Sequence, residues 1–222
     1  MPMNIEAVLQ WIRGPGLSLS LGIFIFGILL KLLEIFLLGR RKNLAAVRSS
    51  GVAAGFRTIF SRSLPPEGNI LRRPPFVFIF GYAFHIGLFV VILFLAPHIQ
   101  VAQSLLGLSW PSLPTPVVDV FAVIALIALM ALLWYRLTSP LMKYLTTAQD
   151  YLVWALTFIP LLSGYMAYHH LLLPYTWLLA IHIASVELLL VLFPFTKLTH
   201  AFTLFISRWY TGMMAGQKGV QS

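Results

Sequence analysis

The chain has 222 residues, of which 59% are hydrophobic and only 9% charged, with a mean hydropathy of +0.90. Such a composition leaves too little polar surface to cover a water-facing core; it excludes an ordinary soluble domain and predicts a single all-α integral membrane domain over residues 1–222. With no cysteine, disulfides, c-type haem attachment, zinc-thiolate sites and iron-sulfur clusters held by this chain alone are excluded.

In chain order, Ile5, Val8, Leu9, Trp11 and Ile12 alternate with Asn4, Glu6 and Gln10 at helical spacing, which predicts a short interfacial helix ended by Gly14-Pro15-Gly16. Five apolar stretches follow: Leu17 to Leu38, Phe76 to Pro97, Val117 to Leu137, Tyr151 to Leu171, and Tyr175 to about Phe195. Each is close to the ~20 residues that a helix needs to cross the hydrocarbon layer. The first is longer than a signal-peptide core, and Gly39-Arg40-Arg41-Lys42 follows it rather than precedes it, so it is expected as a retained helix. On it, Lys31 and Glu34 are near neighbours on one face and should neutralise each other.

The loop 39–75 is broken by Pro65-Pro66-Glu67-Gly68-Asn69 and Pro74-Pro75, and carries an expected amphipathic helix from Ala53 to Phe60 with Arg57 on its wet side. That helix either docks a soluble partner or rests on lipid headgroups. Asp119 opens the third span as an expected interfacial cap, and Glu187 lies in the otherwise apolar fifth span without a local cation. A carboxyl at that depth is either protonated and structural or a proton relay.

The formal charge of +9 is unevenly spread. Arg40, Arg41, Lys42, Arg48, Arg57, Arg62, Arg72 and Arg73 lie between spans one and two; Arg136 and Lys143 lie between spans three and four; Lys197, Arg208 and Lys218 follow span five. The loops His98 to Pro116 and His169 to Pro174 hold no lysine or arginine. Basic loops stay on the cytoplasmic side, so the N-terminus is expected outside and the C-terminus inside the cytoplasmic (inner) membrane. The charge thus reads as topology, with lipid and an acidic partner face as its natural counterparts, and no nucleic acid.

All six histidines, His85, His98, His169, His170, His182 and His200, fall inside or at the end of an apolar span. Ionisable groups at membrane depth are costly and point to function. His200 follows His182 by eighteen positions, five turns on one face of a continuous helix and about 27 Å along it. His98 follows His85 by thirteen positions, about 20 Å. Spans two and five run antiparallel, so His85 should meet the level of His200 and His98 that of His182. Two such pairs suit two bis-histidine b-type haems, whose iron keeps no open axial position and so carries electrons. Thirteen residues do not return a straight helix to the same face; Pro97 would have to bend the chain for His98 to serve, and His169 and His170 remain alternative outer ligands.

Phe84-His85-Ile86-Gly87, together with His182 and Leu192-Phe193-Pro194-Phe195-Thr196-Lys197-Leu198-Thr199-His200, resembles the gamma subunit of membrane-bound respiratory nitrate reductase and its relatives in sulfur-respiratory and heterodisulfide-reductase-like complexes. The resemblance implies a five-helix cytochrome b with two haems, exchanging electrons between the quinone pool and an iron-sulfur or catalytic redox subunit. By position, His85 and His200 would hold the inner haem and His182 one side of the outer haem. Where the family has its second histidine on span two, about ten residues after the first, Leu95 stands here and His98 comes three later. In this frame His98 completes the outer pair, Glu187 is the candidate proton relay for quinol chemistry, and Asp119 is another possible acceptor of quinol protons. The contrasting expectations are a haem-free proton-relaying transporter and a structural anchor of a complex.

Overall fold

The computed structural model describes residues 4–38, 46–63 and 75–220. Gly39, Arg40, Arg41, Lys42, the Pro65 to Asn69 break, Arg72, Arg73 and Pro74 lie outside the described residues. Among the described residues every regular element is helical. They are α1 (Ile5–Trp11), α2 (Leu17–Leu37), α3 (Val52–Ser61), α4 (Pro75–Phe94), α5 (Ala96–Leu106), α6 (Thr115–Thr138), α7 (Pro140–Leu145), α8 (Ala148–Tyr168), α9 (Tyr175–Leu192) and α10 (His200–Gln217).

Five stretches, Ile5–Leu37, Pro75–Phe94, Thr115–Thr138, Ala148–Tyr168 and Tyr175–Phe195, are long and apolar enough to cross a membrane. Only 17% to 28% of each apolar window is buried inside the protein. Hydrocarbon suits the rest of that surface, because exposing so much apolar area to water is costly. The chain is a multi-pass membrane protein.

The first span differs from its expectation. Gly14-Pro15-Gly16 does not end a separate interfacial helix; Ile12–Gly16 forms a π-helical turn that carries α1 into α2. Pro15 lacks an N–H and cannot sit in a regular ladder without a gap, and a wider turn accommodates both ring and missing donor.

The chain divides into two compact units, one of Met1–Leu21 with Pro75–Val191, the other of Gly22–Pro74 with Leu192–Ser222. The core of the first lies between α4 and α6, with Phe84, Gly87 and Val91 facing Val118, Ala122, Ala125 and Leu129, and Leu161 of α8 closing it. These positions recur at three and four residues, the spacing of one helix face. A Cβ at Gly87 would stand 2.5 Å from the Phe121 carbonyl oxygen and 2.9 Å from the Ala125 Cβ; the close approach that drives helix pairing in lipid thus depends on glycine there. Trp154 of α8 donates its indole N–H to the Leu129 carbonyl at 2.9 Å.

In the second unit, α3 packs on α10 through small residues: Gly55 lies under Trp209, and Gly212 under Thr58. Lys31 donates to Glu34 at 2.8 Å, the pairing expected from their spacing. The expected eighteen-residue helical run from His182 to His200 is broken. After α9 the chain passes through 3₁₀ turns at Phe193–Phe195 and Lys197–Thr199, and His200 opens α10. Pro194 has no N–H to continue α9, and Thr196 is extended at φ −122°, ψ 177°.

Candidate functional site

Span two ends where the sequence suggested a bend. Leu95 takes an extended conformation, φ −76° and ψ 126°, and a new helix, α5, starts with Pro97 in its first turn. In an unbroken helix the Leu93 carbonyl would accept from residue 97, which is proline, and the Phe94 carbonyl from His98. Both oxygens are satisfied otherwise: the Trp110 indole donates to Leu93 at 2.5 Å and the Leu113 N–H to Phe94 at 3.1 Å. His98 therefore leaves the α4 register, and its Nδ1 donates 2.9 Å back to the Val91 carbonyl.

His182, two turns into α9, is held from α8. Its Nδ1 donates to the Pro160 carbonyl at 3.0 Å, with the Ser163 hydroxyl 3.5 Å away. Gly164 makes room for the ring: a Cβ there would lie 2.8 Å from Cε1 of His182.

These two anchored imidazoles face each other, centroids 6.2 Å apart and planes 25° from parallel. A backbone carbonyl only accepts, so each Nδ1 carries a proton, and the tautomer with one ring proton has its lone pair on Nε2. This is how metal-binding histidines are usually oriented, with the far ring nitrogen donating to a carbonyl. An imidazole bound at about 2.0 Å puts its centroid about 3 Å from the metal, so rings on opposite sides of one ion stand about 6 Å apart and rings at a tetrahedral angle about 5 Å. The observed centroid separation of 6.2 Å is close to the first of these values. Among the described residues no group of three or more His, Cys, Asp or Glu side chains comes together. The site is a pair.

His85 and His200 show the same ring anchoring, each within its own unit: His85 Nδ1 donates to the Gly81 carbonyl at 2.7 Å and His200 Nδ1 to the Lys197 carbonyl at 2.8 Å. The two outer rivals of His98 are engaged differently. His169 bonds through Nε2 to Asp119 Oδ1 at 3.1 Å, flanked by the rings of Tyr165 and Tyr168. His170 has a left-handed backbone, φ 55°, and its ring lies 4.9 Å from that of Tyr175. Asp119 is thus a partner of His169; the residue capping α6 is Pro114. Thr115 and the Tyr168 hydroxyl, 3.1 Å apart, join the same two helices beside it.

Glu187 packs where α9 meets the π turn. A Cβ on Gly16 would stand 2.8 Å from its Oε1 and 2.9 Å from the Trp11 ring, and that buried Oε1 has no hydrogen-bond partner.

A protein of Nitratidesulfovibrio vulgaris strain Hildenborough is 33% identical to this chain over 207 residues, spanning 91% of each. The chain belongs to that protein's family. The relative's name, "Protein", states no activity. No family model matches the chain, and no solved structure does. Because the similarity to this family runs over nine-tenths of both chains, it is not confined to one helix.

Three supports in this family member escaped the sequence reading. Pro160, Ser163 and Gly164 all act on His182 from α8. No motif marks them; the only hint is a small-residue pair next to each other in an apolar span, which helix packing alone would also produce. Of the glycines near His85, Gly87 is filled by α6, whereas nothing lies within 4 Å of a Cβ at Gly81.

Proposed function

We propose that the chain is a membrane cytochrome b subunit that binds two b-type haems and carries electrons between the quinone pool and an iron-sulfur or catalytic redox partner. The observation that supports this most is the His98–His182 pair, at 6.2 Å with both Nδ1 atoms donating to backbone carbonyls. His98 and His182 would hold a haem through Nε2, with each Nδ1 kept by a backbone carbonyl. The inner haem, assigned to His85 and His200, rests on their sequence positions and on the equivalent anchoring of each ring.

A packing observation agrees with the topology expected from charge and hydropathy. Packing of α3 on α10 requires both to lie on one side of the membrane, hence an even number of crossings between them, and α4, α6, α8 and α9 supply four. By the positive-inside rule that basic side is cytoplasmic, with the N-terminus outside, in the cytoplasmic membrane.

When bound, haem would supply a one-electron carrier. The chain does the rest. Pro160 and Val91 hold the ligand rings, while Asp119 and His169 form a paired base and carboxylate beyond Gly164 on the outer side, suited to take protons from a quinol. Glu187, within the fifth apolar span, is the proposed relay.

A reduced-minus-oxidised spectrum of the purified protein tests the reading: a b-type band near about 560 nm is expected, and His98→Ala and His182→Ala should each remove one of two haems. A chain that binds no haem when haem is supplied would favour the second reading, a haem-free proton relay, to which the unpartnered Glu187 Oε1 lends support.

A further inference from the structure

Among the described residues of its own unit, the α3–α10 pair leaves one face uncovered. On α3, Ala54, Gly55, Thr58 and Ile59 occupy one side of the helix, with Gly55 and Thr58 buried against α10. Val52, Phe56 and Phe60 recur every four residues on the other side and are 45%, 56% and 68% exposed. Arg57 borders that stripe and lines an open groove of about 350 Å³ with Ser49, Ala53, Gly216 and Gly219. Arg48 runs along the same wall, its Cδ 3.1 Å from where a Gly219 Cβ would be. The floor is tied in place: Arg48 N–H donates to the Gln217 carbonyl and the Ser49 hydroxyl to the Gly216 carbonyl, both at 2.9 Å.

Charge decides what fits. Among the described residues of this unit, Arg48, Arg57, Arg62, Lys197, Arg208 and Lys218 accompany a single carboxylate, Glu34, which is paired with Lys31. An apolar stripe edged by guanidinium groups is the pattern of a helix lying in the headgroup layer, apolar side down, with cations on lipid phosphates. We propose that α3 and α10 form an interfacial foot that binds anionic phospholipid, the phosphate seated between Arg48 and Arg57 and the acyl chains under Val52, Phe56 and Phe60. An acidic protein partner would also answer the charge but would leave the phenylalanine stripe facing water. The proposal does not depend on haem.

The absence of native cysteine permits a direct test on the full chain in nanodiscs. Phe56→Cys, or Phe60→Cys if the former misfolds, carries an environment-sensitive fluorophore, and Ser61→Cys serves as the wet-side control. In discs containing phosphatidylglycerol the Phe56 label is expected to be quenched by shallow nitroxide lipid and shielded from iodide, with Ser61 open to iodide. Arg48→Gln and Arg57→Gln should each weaken the lipid-dependent signal about fivefold, as should replacing phosphatidylglycerol by phosphatidylcholine. Iodide access without lipid quenching would overturn the proposal in favour of a water-facing surface. Protection from both quenchers would overturn it in favour of a protein cover, and lipid quenching indifferent to headgroup or arginine would remove the phosphate site. Loss of the signal on adding inorganic phosphate alone would reassign the groove to a free anion.

Discussion

Gly164 on α8 lies directly under the imidazole of His182 on α9, so close that a Cβ would reach within 2.8 Å of Cε1 and 3.0 Å of Nδ1. The ring's position, and therefore its lone pair, depends on a missing side chain one helix away. Gly164→Ala should tilt the ring and Gly164→Leu expel it. If the chain binds two haems as proposed, haem content by pyridine haemochrome is expected to fall from two per chain toward one in the leucine variant, with the inner haem retained.

Asp119 and His169 provide a contrast between neighbours. His169 spends Nε2 on Asp119, the nitrogen by which the other candidate ligands would bind metal. His169→Ala is therefore expected to keep both haems, whereas His98→Ala loses one. Asp119→Asn should slow quinol-dependent haem reduction by about 10²-fold, within the range of a lost general base, at unchanged haem content. A haem loss in His169→Ala equal to that in His98→Ala would reverse the assignment.

The end of α4 depends on Trp110. Its indole supplies the hydrogen bond that Pro97 cannot give to the Leu93 carbonyl. Trp110→Phe should leave that oxygen unsatisfied and destabilise the protein by about 1–3 kcal/mol, read as a lowered thermal transition in detergent. Pro97→Ala lets α4 run on through residue 98, turning His98 away, and is expected to cost the outer haem more than it costs stability.

Helix pairing in the first unit is sensitive to volume. Gly87→Leu would drive a side chain into the Phe121 carbonyl and Ala125, and overpacking of that kind costs about 1–3 kcal/mol. The measurable result is a lower thermal transition, while Gly81→Ala, with nothing within 4 Å of its Cβ position, should leave it unchanged.

The amino-acid sequence by itself determined the five spans, because the need to satisfy backbone groups in hydrocarbon leaves a run of about 20 apolar residues little choice but a helix. It also determined the Lys31–Glu34 pair and the helix around Arg57, since both follow from local spacing. At three prolines local rules did not settle the outcome: Pro15 was absorbed in a π turn, Pro97 opened a new helix, with Trp110 supplying the hydrogen bond that it cannot give, and Pro194 ended one. Spacing along the chain suggested the His98–His182 pair, but only tertiary structure set the direction of the two rings and gave His169 to Asp119. A ring's direction is set by carbonyls and glycines on other helices, and contacts between distant segments leave no periodicity in the chain that makes them.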